Sequence, residues 1–261
     1  MFIENSLMAN YFYIALGVLF VASFIAGYID AIAGGAGLIL LPALLLTGFP
    51  PQLALGQEKL IGTLGTIGAI RNFVKNKSVI WKIVPLGIIS ALLGAYIGTR
   101  AILILPTASL YYIILGLIPF GLCFTLFKAT MKNKNHFVET INYSWIVVVV
   151  TCLLVGFYDG FFGPGAGSIF IICLYIINKM PLLNASATSK IFNFSSNLGS
   201  FVGFAIAGKM VFLAGIPMVI GCFLGNHFGS LHAIKTDGAI IKKVLILTVG
   251  IMMITLIIKL I

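Results

Sequence analysis

Six long apolar runs punctuate this sequence: Tyr11–Ala33, Ile83–Leu105, Ser109–Lys128, Trp145–Phe162, Val211–Ile234 and Ala239–Ile261. A bilayer's hydrocarbon core is crossed by about 20 helical residues. Within lipid the backbone must satisfy its own hydrogen bonds, which leaves only helices and closed barrels. Barrel strands read as alternating segments of about ten residues, and stretches such as Ile146–Val150 or Leu245–Leu247 do not alternate. The expected fold is therefore an all-α polytopic membrane protein. The composition agrees, with 61% hydrophobic and 8% charged residues, against about a quarter charged in soluble domains.

A net charge of +10 alone would admit a nucleic-acid partner. The basic residues, however, sit mostly in short connectors between the apolar runs, where they encode topology. No basic face or soluble module is present, so no nucleic acid is expected. The four cysteines (Cys123, Cys152, Cys173, Cys222) lie inside apolar stretches with no CxxC pair or Cys/His cluster. They read as core residues, and neither a metal nor a cofactor is expected. The first run lacks a basic flank and is too long for a signal peptide, so it reads as the first membrane helix.

Two paired segments interrupt the series: Leu38–Phe49 with Leu53–Val74, and Ser168–Asn178 with Asn184–Ala207. The first member of each is short for a span. Each pair is either a re-entrant hairpin or a short helix followed by a full one. Both readings return the chain to the same side, so orientation can be read independently. Ten basic residues then fall opposite the N-terminus: Arg71, Lys75, Lys77, Lys82, Lys128, Lys132, Lys134, Lys235, Lys242 and Lys243. Arg100, Lys209 and Lys259 remain on its side, and Lys179 sits in a turn that either reading could place differently. By the positive-inside rule both termini face the non-cytoplasmic side. Trp81 and Trp145, at span ends, suit interfacial anchors.

The chain also repeats itself at about 130 residues. Gly27-Tyr-Ile-Asp30 is echoed by Gly156-Phe-Tyr-Asp159, and Lys59 by Lys190. The cluster Gly34, Gly35, Gly37 is echoed by Gly163, Gly165, Gly167, while Gly94 and Gly98 match Gly225 and Gly229. The expectation is one membrane domain made of a first repeat, 1–135, and a second, 136–261. An odd number of crossings per repeat inverts the second relative to the first, and interrupted helices at matching positions point to a secondary transporter.

Ionisable residues inside the membrane are costly and usually functional. Lys59 and Lys190 lie in polar runs that contain Gln57 and Glu58 in one half and Thr188, Ser189, Asn193 and Asn197 in the other. Helices entered at Pro50-Pro51 and at Asn184, read as an N-cap, would aim their positive ends at these runs. Two lysines with Ser, Thr and Asn donors suit a small oxyanion. Asp30, Asp159 and Glu58 are open to two readings, proton coupling or, for the aspartates, capping of the next helix. The glycine clusters read as helix breaks, and the glycines at four-residue spacing as close-packing faces. His227, on such a face, is expected to be packed and neutral, and His136 solvated.

These motifs resemble the sulfite exporter TauE/SafE family of permeases. The resemblance rests on Gly27–Asp30 with Gly34–Gly37, Leu53-Ala-Leu-Gly56 with Lys59, Gly156–Gly165, and Ala187-Thr-Ser-Lys190-Ile-Phe-Asn193-Phe-Ser-Ser-Asn197. It implies a multi-pass transporter of the cell inner membrane that carries a sulfur-containing anion: sulfite, thiosulfate, a sulfonate or sulfoacetate. Where the family often has Thr-Asn before the first lysine, this chain has Gln57-Glu58. Coupling to H+ and assembly as a homodimer are both compatible with the sequence. An anion channel shares the charge logic. An intramembrane enzyme finds no support, since HExxH, GxSxG and CxxC motifs are missing.

Fusing a periplasm-active reporter such as alkaline phosphatase after Ile261 should give an active fusion. A fluorescent protein at the same place should stay dark. The reverse pattern would overturn the orientation.

Overall fold

The computed structural model describes residues 2–130 and 144–236. The boundary between 135 and 136, the connector residues Lys132, Lys134 and His136, and the run Ala239–Ile261 with Lys242, Lys243 and Lys259 lie outside the described residues. The helices are α1 (Leu7–Asn10), α2 (Phe12–Ala33), α3 (Ala36–Thr47), α4 (Pro51–Lys75), α5 (Val84–Ile104), α6 (Thr107–Thr130), α7 (Trp145–Phe161), α8 (Ala166–Ile176), α9 (Leu182–Ile206) and α10 (Phe212–Thr236). A 3-10 turn, Trp81–Ile83, leads into α5. No strand occurs among the described residues. This is an all-α membrane protein. Phe12–Ala33, Trp81–Ile104 and Phe212–Lys235 are long and apolar enough to cross a bilayer. Large apolar side chains such as Tyr13, Ile89, Ile104 and Ile146 cover its outer surface, as a lipid solvent requires.

The two paired segments resolve alike. α3 has 12 residues and α4 has 25, or about 18 and 37 Å at the helical rise of about 1.5 Å per residue. α8 and α9, with 11 and 25 residues, repeat the proportions. Each pair is a short helix followed by a full-length one. The end of α3 reaches the N-terminal segment, where the Ile3 N–H donates to the Gly48 carbonyl at 2.9 Å.

Breaks before the short helices use left-handed backbone. Gly34 has φ 78°, while Gly163 and Gly165 have φ 101° and 87°, values that a side chain would strain. Gly37 and Gly167, expected within the breaks, instead lie inside α3 and α8, because those helices start at Ala36 and Ala166. Their use is close packing: a Cβ on Gly37 would lie 2.8 Å from Glu58 Oε1, and one on Gly167 2.9 Å from the Gly34 Cα. The breaks meet across the molecule, where the Ser168 N–H donates to the Gly34 carbonyl at 3.1 Å and the Ser168 hydroxyl to Ala33. Asn184 is not the N-cap expected of it. α9 starts one turn earlier, with Pro181 in the cap position, and Asn184 Nδ2 donates to the Ser78 carbonyl at 2.8 Å.

Glycine seams draw the long helices together. A Cβ on Gly221, Gly225 or Gly229 would meet the carbonyl oxygen of Phe20, Phe24 or Tyr28, so α10 runs parallel to α2. Gly94 and Gly98 stand in the same relation to Leu153 and Phe157, so α5 runs parallel to α7. α4 packs parallel to α10 (Gly56 on Lys209, Gly65 on Cys222) and α9 parallel to α5 (Gly199 on Leu92, Gly203 on Thr99). At the centre α4 and α9 are antiparallel, with Gly56 against Phe204 and Gly62 against Asn197. Backbones this close leave no room for a methyl group. His227 is packed as expected, with its carbonyl and ring held by Asn72.

A Cβ on Gly160 would sit 1.9 Å from the Ala95 carbonyl oxygen and one on Gly225 2.0 Å from that of Phe24, whereas Gly17 has nothing within 4 Å. Gly160→Ala and Gly225→Ala should each cost at least about 1–3 kcal/mol of stability. Gly17→Ala should be neutral or slightly stabilising. Thermal unfolding of the detergent-solubilised variants measures the difference.

Candidate functional site

Pro51 at the first position of α4 presets its φ and forgoes an N–H that has no helical partner there. α4 then carries Gln57, Glu58 and Lys59 into the interior, while α9 carries Thr188, Ser189, Lys190, Asn193 and Asn197. Both lysines are fully buried, at 0% exposure. A buried ammonium without partners is untenable. Each lysine finds one in the opposite half. Lys59 Nζ lies 2.7 Å from Asp159 Oδ1, and Lys190 Nζ 2.8 Å from Asp30 Oδ2.

Further bonds fix the aspartates. Lys190 also donates to the Asp30 backbone carbonyl, and Ser196 donates its hydroxyl to Asp159 Oδ2. Asp30 Oδ1 accepts a long bond, 3.4 Å, from the Ala36 N–H at the start of α3. Asp30 is thus a weak cap and an ion-pair partner at once. The lysines are not bare positive charges, because two acids and a hydroxyl network already surround them. Glu58 Oε2 is a second acid on Lys59, at 3.0 Å, close enough for ion pairing though not aligned as a hydrogen bond.

Asp30, Glu58, Asp159, Asn193, Asn197 and Cys222 line a small cavity between the glycine breaks. The space open to the centre of a water molecule is about 20 Å³, room for about one water. Asn197 points an unpartnered Oδ1 into this region, while its Nδ2 donates to the Asn193 carbonyl at 2.8 Å. The site is narrow in this conformation.

Other residues of the polar runs lie elsewhere. Gln57 Oε1 accepts from the Val211 N–H at 3.2 Å, just before α10. Thr188 Oγ1 accepts from the Ile80 N–H at 3.0 Å, tying α9 to the turn before α5, and Ser189 bonds back to Ser186 within α9. Ser196 had no signal in the sequence beyond its place within the Asn193–Asn197 run. Nothing in the sequence marked Cys222, a core-like cysteine, as lining the cavity.

The family profile described as sulfite exporter TauE/SafE matches residues 19–256. The chain is 38% identical over 234 residues to "Probable membrane transporter protein ORF9" of Sinorhizobium sp, covering 89% of this chain and 88% of that one. It is 36% identical to a "Probable membrane transporter protein" of Haemophilus influenzae (91% and 92% covered). It is 32% identical to "Probable membrane transporter protein YfcA" of Escherichia coli (91% and 87% covered). No solved structure matches the chain. The protein belongs to the TauE/SafE family of membrane transporters.

Removing one member of a buried ion pair leaves the other charge uncompensated, at a cost of about 3–5 kcal/mol, whereas replacing both with neutral groups is often tolerated. Lys190→Ala should therefore unfold at a markedly lower temperature. The double variant Asp30→Asn with Lys190→Met should recover most of the loss in the same detergent melt. A single variant as stable as the double would show that the pair contributes nothing to the fold.

Proposed function

We propose that this permease carries a small sulfur-containing anion, of the sulfite, thiosulfate, sulfonate or sulfoacetate class, across the cell inner membrane by alternating access. The observation that carries this reading is the pair of buried lysines, each held by an aspartate of the other half beside a cavity that admits about one water. A substrate anion can take the place of a carboxylate on a lysine, so the cation is never left bare while the charge partner changes. Asn193 and Asn197 face the same cavity and supply polar contacts. Gln57, Thr188 and Ser189 act behind them, fixing the positions of α4 and α9.

The inverted arrangement of repeats 1–135 and 136–261 draws support from the 131-residue offset of the two lysines and from the antiparallel packing of α4 against α9. Exchange of the two halves' conformations would open the site first to one side and then to the other, with N- and C-termini outside. The one-water cavity favours a carrier over a channel, because a conducting pore stays continuous. The chain's membership of a transporter family, together with its lack of hydrolytic or redox motifs, favours transport over catalysis.

Proteoliposomes containing the protein should take up labelled sulfite, thiosulfate or sulfoacetate with saturation. Losing a charge-assisted contact worth about 1.5–3 kcal/mol should slow flux roughly 10- to 100-fold in the folded double variant Asp30→Asn with Lys190→Met. Unchanged flux would remove the lysine–aspartate pair from the site, and non-saturating flux would indicate a channel. Failure of the parent protein to move any of the three would remove this substrate class.

A further inference from the structure

The central cluster is out of electrical balance. Two lysines, Lys59 and Lys190, stand against three carboxylates, Asp30, Asp159 and Glu58, all at most 5% exposed. With every group ionised the cluster would carry one net negative charge. The excess is confined to one half: Lys190 has one acid, whereas Lys59 has both Asp159 and Glu58. The position matching Glu58 in the second half is Ser189, which is neutral.

No other group among the described side chains offsets the surplus. Of the elements packed on α4, α2 presents Asp30, α9 presents Lys190 and α10 presents Cys222 at the cavity. His227 of α10 is bonded to Asn72 away from the cavity lining, and α3 has no titratable side chain. Tyr112 and Cys123 of α6 lie on the outer surface. Asp159 reaches Lys59 from α7. The lining also holds Asn193, Thr66, whose hydroxyl donates to the Gly62 carbonyl, and an acceptor, the buried and unpartnered Asn197 Oδ1. A buried carboxylate in excess of the cations around it sheds its charge by taking up a proton.

We propose that Glu58 is a proton-binding site of the transport cycle, and that the substrate anion enters with a proton held there. Protonation turns the cluster into two balanced ion pairs. It also frees Lys59 from its second acid and adds an O–H donor to the lining. An ionised Glu58 beside a bound anion would weaken binding roughly a thousandfold at contact range and an effective dielectric of about 20. The proton is taken from, and released to, whichever aqueous side the cavity opens toward, so an acid gradient drives the anion. This deepens the transport reading and rests on it for the flux measurement alone.

Infrared difference spectroscopy of the parent protein at neutral pH should show the C=O band of a protonated carboxylic acid. Glu58→Gln, an isostere of the protonated state, and Glu58→Ser, which copies the second half, should both lose it, and the double variant Asp30→Asn with Lys190→Met, which removes one acid with one lysine and so leaves the surplus on Lys59, should keep it. In proteoliposomes an inward acid gradient should drive thiosulfate accumulation by the parent, since thiosulfate keeps its charge across the neutral range. In Glu58→Gln thiosulfate should equilibrate without accumulating. A parent without the band, a band that survives in both Glu58 variants, or gradient-driven accumulation by Glu58→Gln would each overturn the proposal. If the band behaves as expected and no sulfur anion moves, the proton site stands and the substrate class falls.

Discussion

Two lysines at zero exposure in a lipid-immersed bundle set the terms for everything around them. An ammonium group in such a place demands an acid at contact distance. Both acids come from the other half of the chain, Asp159 for Lys59 and Asp30 for Lys190. Each pair therefore acts as a tie between halves. The aspartates sit near the ends of α2 and α7, so the positions of those ends and the helix breaks just beyond them follow from the same demand.

Glycine makes the ties reachable. The breaks at Gly34, Gly163 and Gly165 turn the chain sharply enough for the two interruptions to touch, with Ser168 bonding directly to Ala33 and Gly34. Along α2 with α10 and α5 with α7, glycines bring backbone against backbone. With lipid outside as apolar as the side chains, helix association relies on such close van der Waals contact rather than on hydrophobic burial. The polar centre and the glycine seams thus divide the task, one specifying which helices meet and the other letting them approach.

The result is a narrow centre that is rich in polar groups and leaves little free space. Its cavity admits about one water, and its lining is richer in acceptors than in donors, with three carboxylates and an unpartnered amide oxygen. For a chain of net charge +10 this inversion matters. The bulk of the positive charge lies in connectors, while the interior carries an excess of acid. Net charge alone would therefore misdescribe the site.

The all-α membrane fold, the paired short and long segments and the two intramembrane lysines were legible in the sequence, because apolar run length and a charge set within it are one-dimensional properties. Asp30, Asp159 and Glu58 were visible as intramembrane acids, yet their roles were not. Pairing Lys59 with Asp159 joins residues 100 positions apart and Lys190 with Asp30 joins residues 160 apart, and no local pattern encodes such a match. Helix starts at Leu182, Ala36 and Ala166 were likewise displaced from the Asn and Gly signals that suggested them, since packing of the breaks overrode local preference. Composition and periodicity determine what solvent a chain must live in and which residues it must bury at a cost. Only the tertiary structure decides which buried charge answers which, because that depends on distances between helices that the chain order does not contain.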